Sequence, residues 1–117
     1  MEGIGVDIEL NERFSNLDPE KDKDLLSKIF TDKELDYCFS KTQPEQGLTA
    51  RFCGKEAAIK ALASMQISDV KPKDIEILNN HKSVPVITIQ KYPDYKMKIS
   101  LSHTKDMSIA FVVIEGE

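Results

Sequence analysis

Residues 48–65 constrain the fold most, because they form the strongest helix prediction in the chain. The segment is rich in alanine, and its apolar side chains recur at the spacing of a helix face buried in a core. One turn after Phe52, however, this apolar stripe passes over two charged residues, Lys55 and Glu56. A charge on a core-facing stripe is costly unless it is paired or bound to a metal ion. The helix therefore predicts the centre of the core and a charged feature that needs a partner.

Two interpretations of this charged feature remain open. Glu56 and Lys60 are four residues apart, so they can form a surface ion pair that stabilises the helix by about 0.2–0.5 kcal/mol. Alternatively, Glu56 can bind a metal ion together with carboxylates from elsewhere in the chain. Spacing alone does not decide between the two.

The opening segment predicts a strand over residues 4–10, where apolar and polar side chains alternate. Ile4, Val6, Ile8 and Leu10 point one way, so Asp7 and Glu9 share the opposite face. Exposure of that face to solvent explains both carboxylates. Convergence of these two with Glu56 on a hard cation is the other interpretation, since Mg²⁺ prefers oxygen ligands and is held by one or two carboxylates with water and substrate phosphate.

The remaining segments predict helices followed by strands. Residues 11–17 and 20–29 are expected to be helical, residues 31–34 read as a capping box that opens a further helix, and residues 42–47 read as a loop. Four short strands are then predicted, over residues 74–78, 84–89, 96–101 and 108–114. One strand, then helices, then antiparallel strands define an α+β fold. A chain of 117 residues suits a single domain covering residues 1–117.

The composition narrows the classes of function. The net charge of −4, from 16 basic and 20 acidic residues, argues against broad affinity for nucleic acid or membrane surfaces. No apolar run reaches the roughly 20 residues of a membrane span, and no secretory signal is visible, so a cytoplasmic protein is expected. Cys38 and Cys53 lack metal-ligand spacing and are expected to be small buried residues.

A second cluster of polar residues ends one of the predicted strands. In residues 100–104, Ser-Leu-Ser-His-Thr, hydroxyl groups bracket His103 where the strand enters a turn. A lone histidine at a strand end is usually structural, but hydroxyls, backbone amides and an imidazole together can bind a phosphate. Arg51, Lys55 and Lys60 add cations on the long helix.

Four segments in the same order resemble the holo-acyl-carrier-protein synthases, the small class of 4′-phosphopantetheinyl transferases. They cover the chain from end to end: residues 3–8 (GIGVDI), residues 30–38 with Phe30, Thr31, Glu34 and Cys38, residues 51–61 (RFCGKEAAIKA), and residues 100–104 (SLSHT). The third segment is the most diagnostic. Two stretches depart from the family pattern: Ala63-Ser64-Met65 replaces a glycine pair, and Ser83-Val84-Pro85 replaces Gly-Lys-Pro.

The resemblance implies a site for Mg²⁺ and coenzyme A. It implies that Asp7 and Glu56 bind Mg²⁺, and a related strand motif of the surfactin-synthetase type implies Glu9 as a third ligand. The residues that it assigns to coenzyme A, the donor substrate, are Arg51, Lys55, Lys60, Pro85, His103 and Thr104.

The implied reaction transfers 4′-phosphopantetheine from coenzyme A to a serine of an acyl carrier protein, as in fatty acid biosynthesis, and releases adenosine 3′,5′-bisphosphate. Such transfers depend mainly on positioning and charge neutralisation. Glu56, directly or through a water molecule, is the candidate base for the serine proton, and Lys60 would stabilise the leaving group. Two rivals remain: a different magnesium-dependent nucleotide-binding enzyme, and a non-catalytic protein of the same fold.

A homo-oligomer is also expected. Val112, Val113 and Ile114 are consecutive, so alternation directs at least one of them away from the core. An exposed apolar strand face is normally covered by a partner. The resemblance implies a homotrimer with sites between subunits, where His103 of one copy meets Asp7 of the next.

Overall fold

The computed structural model describes residues 1–116, and its elements confirm the predicted α+β class. Two short 3₁₀-helices, Asn11–Phe14 and Pro72–Asp74, connect larger elements. In chain order these elements are β1 (Glu2–Leu10), α1 (Lys23–Ser27), α2 (Asp32–Phe39), α3 (Pro44–Ser64), β2 (Ile75–Asn79), β3 (Pro85–Ile89), β4 (Lys96–His103) and β5 (Met107–Glu115).

The strands form two antiparallel sheets that meet around the long helix. The larger sheet has the order β1-β5-β4, so the first strand of the chain pairs with the last. The smaller sheet is the hairpin of β2 and β3. The main core lies between α3 and the strands, and it contains Ala57, Ala61, Ile77 and Val112 among its fully buried side chains.

The backbone of β1 lies directly against α3 because two glycines provide the room. A Cβ atom on Gly5 would stand 1.8 Å from the carbonyl oxygen of Ala57, and one on Gly3 would stand 2.2 Å from that of Ala61. Both alanines are fully buried in this contact. The small residues of strand and helix therefore set the separation of the two elements.

This contact decides which face of β1 is inside, and the solvent-facing interpretation of Asp7 and Glu9 is wrong. The alternation itself is confirmed, but Asp7 and Glu9 lie on the face with the glycines, against α3. The apolar side chains point outward instead, with Ile4 63% exposed. The helix can pack this closely only on the glycine face of β1, because any larger residue at Gly3 or Gly5 would place its Cβ atom within the helix backbone.

The outward apolar face extends onto β5. Four cross-strand pairs of apolar residues stand side by side, and every member is exposed: Ile4 with Val113, Val6 with Phe111, Ile8 with Ile109, and Leu10 with Met107. Val113 is thus the residue of the 112–114 run that points away from the core, as alternation requires. The polar outward residues of β4, among them Lys96 and Lys98, border this patch.

Three predicted segments differ clearly from the structure. The helix predicted over residues 11–17 is only the 3₁₀-helix Asn11–Phe14. The loop predicted over residues 42–47 shortens to residues 42 and 43, because α3 begins at Pro44, where the missing N–H costs nothing in the first helical turn. The helix predicted over residues 20–29 shortens to α1, because the Asp18 carboxylate accepts from the amides of Glu20 and Lys21 and holds a turn there. The capping box of Thr31 and Glu34 at the start of α2 is confirmed.

A second core cluster joins α1 and α2 to the first half of α3. It buries Phe14, Leu26, Phe30, Cys38, Leu48 and Phe52. Within α1, Leu26 is fully buried whereas Leu25 is exposed. Cys38 and Cys53 are both buried free thiols, as expected. Within residues 1–116, no helix combines the length and the apolar character needed to cross a membrane.

The glycine contact yields a prediction about stability. Gly5→Ala should lower the free energy of unfolding by at least about 2 kcal/mol, because its new methyl group overlaps backbone that cannot rotate away. Gly47→Ala is the matched control, since its methyl group would meet the Cys38 sulfur at 3.1 Å and alanine favours a helix. We expect the free energy of unfolding of Gly47→Ala to lie within about 1 kcal/mol of the wild-type value. Urea denaturation at one protein concentration compares them, and equal effects would contradict the close-packing argument.

Candidate active site

Asp7 lies on the inner face of β1, and a lysine from α3 reaches it. Only 19% of the Asp7 side chain is exposed, and Lys60 Nζ stands 3.3 Å from its Oδ1 atom. The same ammonium group donates to the carbonyl oxygen of Val6 at 3.1 Å. Within residues 1–116, Lys60 forms no ion pair with Glu56. The surface ion pair along the helix is therefore replaced by a contact between helix and strand.

Glu56 lies half-buried on the side of α3 that faces Asp7. It follows Cys53 by three residues and precedes Lys60 by four, so the three share one helix face. Both of these neighbours are close to Asp7. Lys60 contacts it directly, and burial, followed by the Asp7 carboxylate, raises the pKa of the Cys53 thiol to about 12. The fold thus brings the Asp7 and Glu56 carboxylates to one region between β1 and α3.

Glu9 does not join this pair. Its Oε2 atom accepts from Arg13 Nη1 at 2.6 Å, and its Oε1 atom accepts from the Leu10 amide at 2.9 Å. The hydrogen bond from Arg13 is the main cause that lowers the pKa of Glu9. Arg13 is itself held over the ring of Phe52 at 4.4 Å. Among the described residues, no three His, Cys, Asp or Glu side chains are placed to share a metal ion, so the three-carboxylate set is not formed.

The remaining pair of carboxylates fits Mg²⁺ by its chemistry. Mg²⁺ is usually held in proteins by one or two carboxylates, while water and substrate phosphate complete its octahedron. Asp7 and Glu56 supply two oxygen ligands from a strand and a rigid helix. The ammonium group of Lys60 beside Asp7 shows that positive charge is already favoured there.

A groove of about 860 Å³ lies on the other side of α3. One wall comes from the start of α3 and the other from the hairpin of β2 and β3, with the end of β4 at the base. The residues that line it include Lys41, Gln46, Arg51, Asn79, Ser83, Val84, Pro85 and His103. Its predicted members Arg51, Pro85 and His103 are therefore brought together.

Arg51 gives the groove a buried positive charge. Its Nε atom donates to the Ile77 carbonyl at 3.0 Å, and its Nη1 atom donates to the Gly47 carbonyl at 3.2 Å. The Nη2 atom is buried without a hydrogen-bond partner among residues 1–116. Tyr37 lies beneath the guanidinium group at 4.7 Å and also beneath Lys41 Nζ at 4.8 Å. An unpaired donor of a buried cation favours an anionic or hydrogen-bond-accepting ligand.

His103 and Thr104 have different surroundings. Gln46 Nε2 lies 3.1 Å from His103 Nδ1, so the two side chains are hydrogen-bonded. The Thr104 hydroxyl oxygen instead accepts from the amides of Asp106 and Met107 and closes the turn between β4 and β5. Among the described residues that line the groove, Thr104 is not included. The structure thus gives Thr104 a role in the turn.

The cofactor-binding prediction for Lys55 is not supported by its position. Its side chain is completely buried, and its Nζ atom stands 2.8 Å from Glu34 Oε1. The ammonium group also donates to the Pro72 carbonyl at 2.9 Å and to the Ile75 carbonyl. Burial lowers the pKa of Lys55, and Glu34 opposes that shift. The charge of Lys55 on the apolar stripe is thus neutralised by a buried ion pair with Glu34, and Lys55 does not reach the groove.

Sequence reasoning missed three side chains that shape these surroundings. Glu34 is recognisable in the sequence as a capping residue, but its ion pair with Lys55 joins distant segments. Tyr37 lies four residues before Lys41, and that helical spacing is its one local signal. Gln46 carries no signal, because it lies in a segment that reads as a loop.

The predicted site residues therefore form two clusters on opposite sides of α3. Asp7, Glu56 and Lys60 lie at β1, whereas Arg51 and His103 belong to the groove. Lys60 follows Arg51 by nine residues, which is about 180° around a helix. One cluster offers carboxylates for a cation, and the other offers cations for an anionic ligand.

A pair of carboxylates together with a basic groove is typical of proteins that handle a phosphate-bearing substrate. The family model described as the 4′-phosphopantetheinyl transferase superfamily matches residues 3–112. A holo-[acyl-carrier-protein] synthase of Thermodesulfovibrio yellowstonii is 40% identical over 114 residues, covering 97% of this chain and 98% of the relative. The chain belongs to the holo-[acyl-carrier-protein] synthase family within that superfamily.

Solved structures agree with this assignment. A holo-(acyl-carrier-protein) synthase from Bacillus anthracis, described in complex with CoA (3′,5′-ADP), superposes with a TM-score of 0.79 at 26% identity and covers 98% of this chain and 96% of its own. The holo-[acyl-carrier-protein] synthase of Helicobacter pylori in complex with coenzyme A gives a TM-score of 0.77 at 27% identity, with 96% and 99% covered.

Proposed function

We propose that this protein transfers the 4′-phosphopantetheine group of coenzyme A to a serine of an acyl carrier protein and releases adenosine 3′,5′-bisphosphate. We further propose that residues 1–117 form one domain for this reaction, and that it proceeds in the cytoplasm as part of fatty acid biosynthesis. The observation that carries the proposal is the pairing of the carboxylates Asp7 and Glu56 with a basic groove in a member of this family.

The proposal assigns Mg²⁺ to Asp7 and Glu56. When bound there, Mg²⁺ would neutralise charge on the pyrophosphate oxygens of coenzyme A. Binding of a divalent cation would also release Lys60 from Asp7, because the carboxylate would then have a stronger partner. The freed ammonium group lies on an exposed part of α3, with 59% of its side chain accessible, so it can turn to a phosphate.

The chemistry of the reaction assigns roles to these side chains. The serine oxygen forms a bond to the β-phosphorus, and the bond from that phosphorus to the bridging oxygen of the leaving group breaks. Glu56 takes the serine proton, either directly or through a water molecule. Lys60 donates hydrogen bonds to the leaving phosphate, which lowers the cost of its growing negative charge.

The groove is assigned to coenzyme A, the donor substrate. Arg51, whose buried Nη2 atom has no partner among residues 1–116, and the exposed Lys41 supply positive charge, and Pro85 forms the hairpin side of the wall. His103, which is hydrogen-bonded to Gln46, also lines the groove. Lys55 has no part in this assignment, because its ammonium group is buried and bonded elsewhere, and Thr104 has none, because it is not among the described residues that line the groove.

We also propose that the working unit is a homotrimer with sites shared between subunits. Two observations support it. The outward face of β1 and β5 exposes eight apolar side chains in four adjacent pairs, and such a continuous patch normally marks an interface. The carboxylates and the groove lie on opposite sides of α3, so a second copy is needed to bring His103 towards Asp7.

The first test of the function is mass spectrometry of an acyl carrier protein incubated with this protein, coenzyme A and Mg²⁺. We expect the carrier to gain one phosphopantetheine group. Asp7→Asn and Glu56→Gln should slow the gain at least about a hundredfold, because each removes a charged metal ligand. Asp94→Asn makes the same chemical change on an exposed turn and should have no effect. Normal turnover by either site variant would refute the metal assignment.

This experiment, combined with isothermal titration calorimetry of coenzyme A binding, separates the two rival functions. Binding of coenzyme A without any gain of mass would identify a non-catalytic protein of this fold. Neither binding nor transfer would favour a different magnesium-dependent nucleotide-binding enzyme.

The groove assignment predicts recognition of the 3′-phosphate of coenzyme A. Isothermal titration calorimetry should find dephospho-coenzyme A bound at least about tenfold more weakly than coenzyme A, since a charge-assisted hydrogen bond is lost. His103→Ala should reduce that difference, whereas Lys91→Ala, an exposed lysine paired with Asp69 outside the groove, should preserve it. Equal affinity of wild type for both compounds would contradict this assignment.

The shared site predicts complementation between two inactive chains. Asp7→Asn and His103→Ala proteins, mixed under conditions that allow subunits to exchange, should regain part of the wild-type rate, because some interfaces then contain both intact residues. Each variant exchanged with itself is the control and should stay inactive. Light scattering measures the oligomer, and a fully active monomer would refute the assembly. Exchange without recovered activity would refute the shared site.

A further inference from the structure

The outer edge of β2 is bound by charged side chains instead of a strand. The backbone N–H and C=O groups of Ile77 point away from β3 towards α2 and α3. The Ile77 amide donates to Glu34 Oε2 at 2.7 Å, and the Ile77 carbonyl accepts from Arg51 Nε at 3.0 Å. Two residues earlier, the Ile75 carbonyl accepts from Lys55 Nζ. An edge strand needs such partners for its free backbone groups.

At this edge, both carboxylate oxygens of Glu34 and all three N–H donors of Lys55 have hydrogen-bond partners. Glu34 Oε1 accepts from Lys55 Nζ at 2.8 Å and from the Thr31 amide at 2.9 Å, while its Oε2 atom binds Ile77. The three donors of Lys55 are used by Glu34, Pro72 and Ile75. Both side chains are completely buried. Because a buried ion pair contributes little net stability compared with apolar side chains, its directional contacts need another explanation.

That explanation lies at the other end of the hairpin. The end of β2, the turn that follows it and the start of β3 form one wall of the groove, through Asn79, Ser83, Val84 and Pro85. The opposite wall is the first part of α3, which includes Gln46 and Arg51. The width of the groove therefore depends on how β2 is held relative to α3. The contacts of Glu34 and Lys55 lie between these two elements and fix that relation.

We propose that Glu34 and Lys55 are positioning residues for the coenzyme A groove: their buried ion pair takes the place of a neighbouring strand along β2 and so sets the width between the hairpin wall and α3. The proposal rests on the function proposed above. Neither side chain touches the ligand. The rest of α3 is held by its alanine contacts with β1, so Glu56 and Lys60 stay in place when the pair is broken.

The test compares Glu34→Gln with a destabilised control. Glu34→Gln keeps the size of the side chain but removes the negative charge that neutralises Lys55. We expect the KM and the calorimetric Kd for coenzyme A to rise about tenfold, with kcat within about twofold of wild type. Hydrogen exchange of the Ile77 amide and its hairpin neighbours should accelerate in the same variant. Leu26→Ala truncates the second core cluster, should lower the melting temperature, and should leave the Kd for coenzyme A unchanged.

The outcomes separate the positioning proposal from the proposed function. An unchanged Kd and unchanged hairpin exchange in Glu34→Gln would overturn the positioning proposal, as would an equal rise in Kd for Leu26→Ala. If the wild-type protein neither binds coenzyme A nor transfers phosphopantetheine, the proposed function fails. Hydrogen exchange then still decides whether Glu34 holds the hairpin. If Glu34→Gln does not fold, the double variant Glu34→Gln with Lys55→Met removes the unpaired buried charge and allows the same measurements.

Discussion

The close contact between β1 and α3 is the constraint on which the rest of the structure depends. Gly3 and Gly5 bring the strand backbone against the carbonyl groups of the helix, at a distance that excludes a Cβ atom. Asp7, the next residue on that face, is thereby held beside Lys60. Because the helix occupies the glycine face, the large apolar side chains of β1 must point outward. One steric feature thus sets the position of the carboxylates and the exposure of the patch.

Periodic signals in the sequence predicted most elements but could not assign their faces. The alternation of β1, the capping box of α2 and the strands of the second half were confirmed, because each depends on neighbouring residues. Alternation gives a period of two without saying which face is buried. The assumption that isoleucine and valine lie inside fails for β1, where the missing side chains of glycine decide.

The residues of the candidate site likewise separate into those that the sequence identified and those that only the fold reveals. The motif of α3 identified Arg51, Glu56 and Lys60 as functional candidates, and the fold places each of them in a suitable cluster. Lys55 and Thr104 also belong to the matching motifs, but Lys55 forms a buried ion pair with Glu34, and Thr104 closes the turn between β4 and β5. Local sequence does not reveal these contacts, because they depend on distant residues or on exact backbone geometry. Contacts such as Glu34 with Lys55 join positions with no shared local pattern. Sequence therefore indicates which residues carry charge, while the fold decides which of them face a ligand.

The placement of the two clusters across α3 also bears on how the protein responds to its own concentration. A helix of 21 residues is rigid, so no hinge within one chain can bring its opposite sides together. On the shared-site proposal, a dispersed molecule is correctly folded but holds only two halves of different sites. The rate per molecule would then fall on dilution, and the total rate would grow more steeply than the amount of protein. Expression level would act as a threshold for carrier modification, without any regulatory ligand.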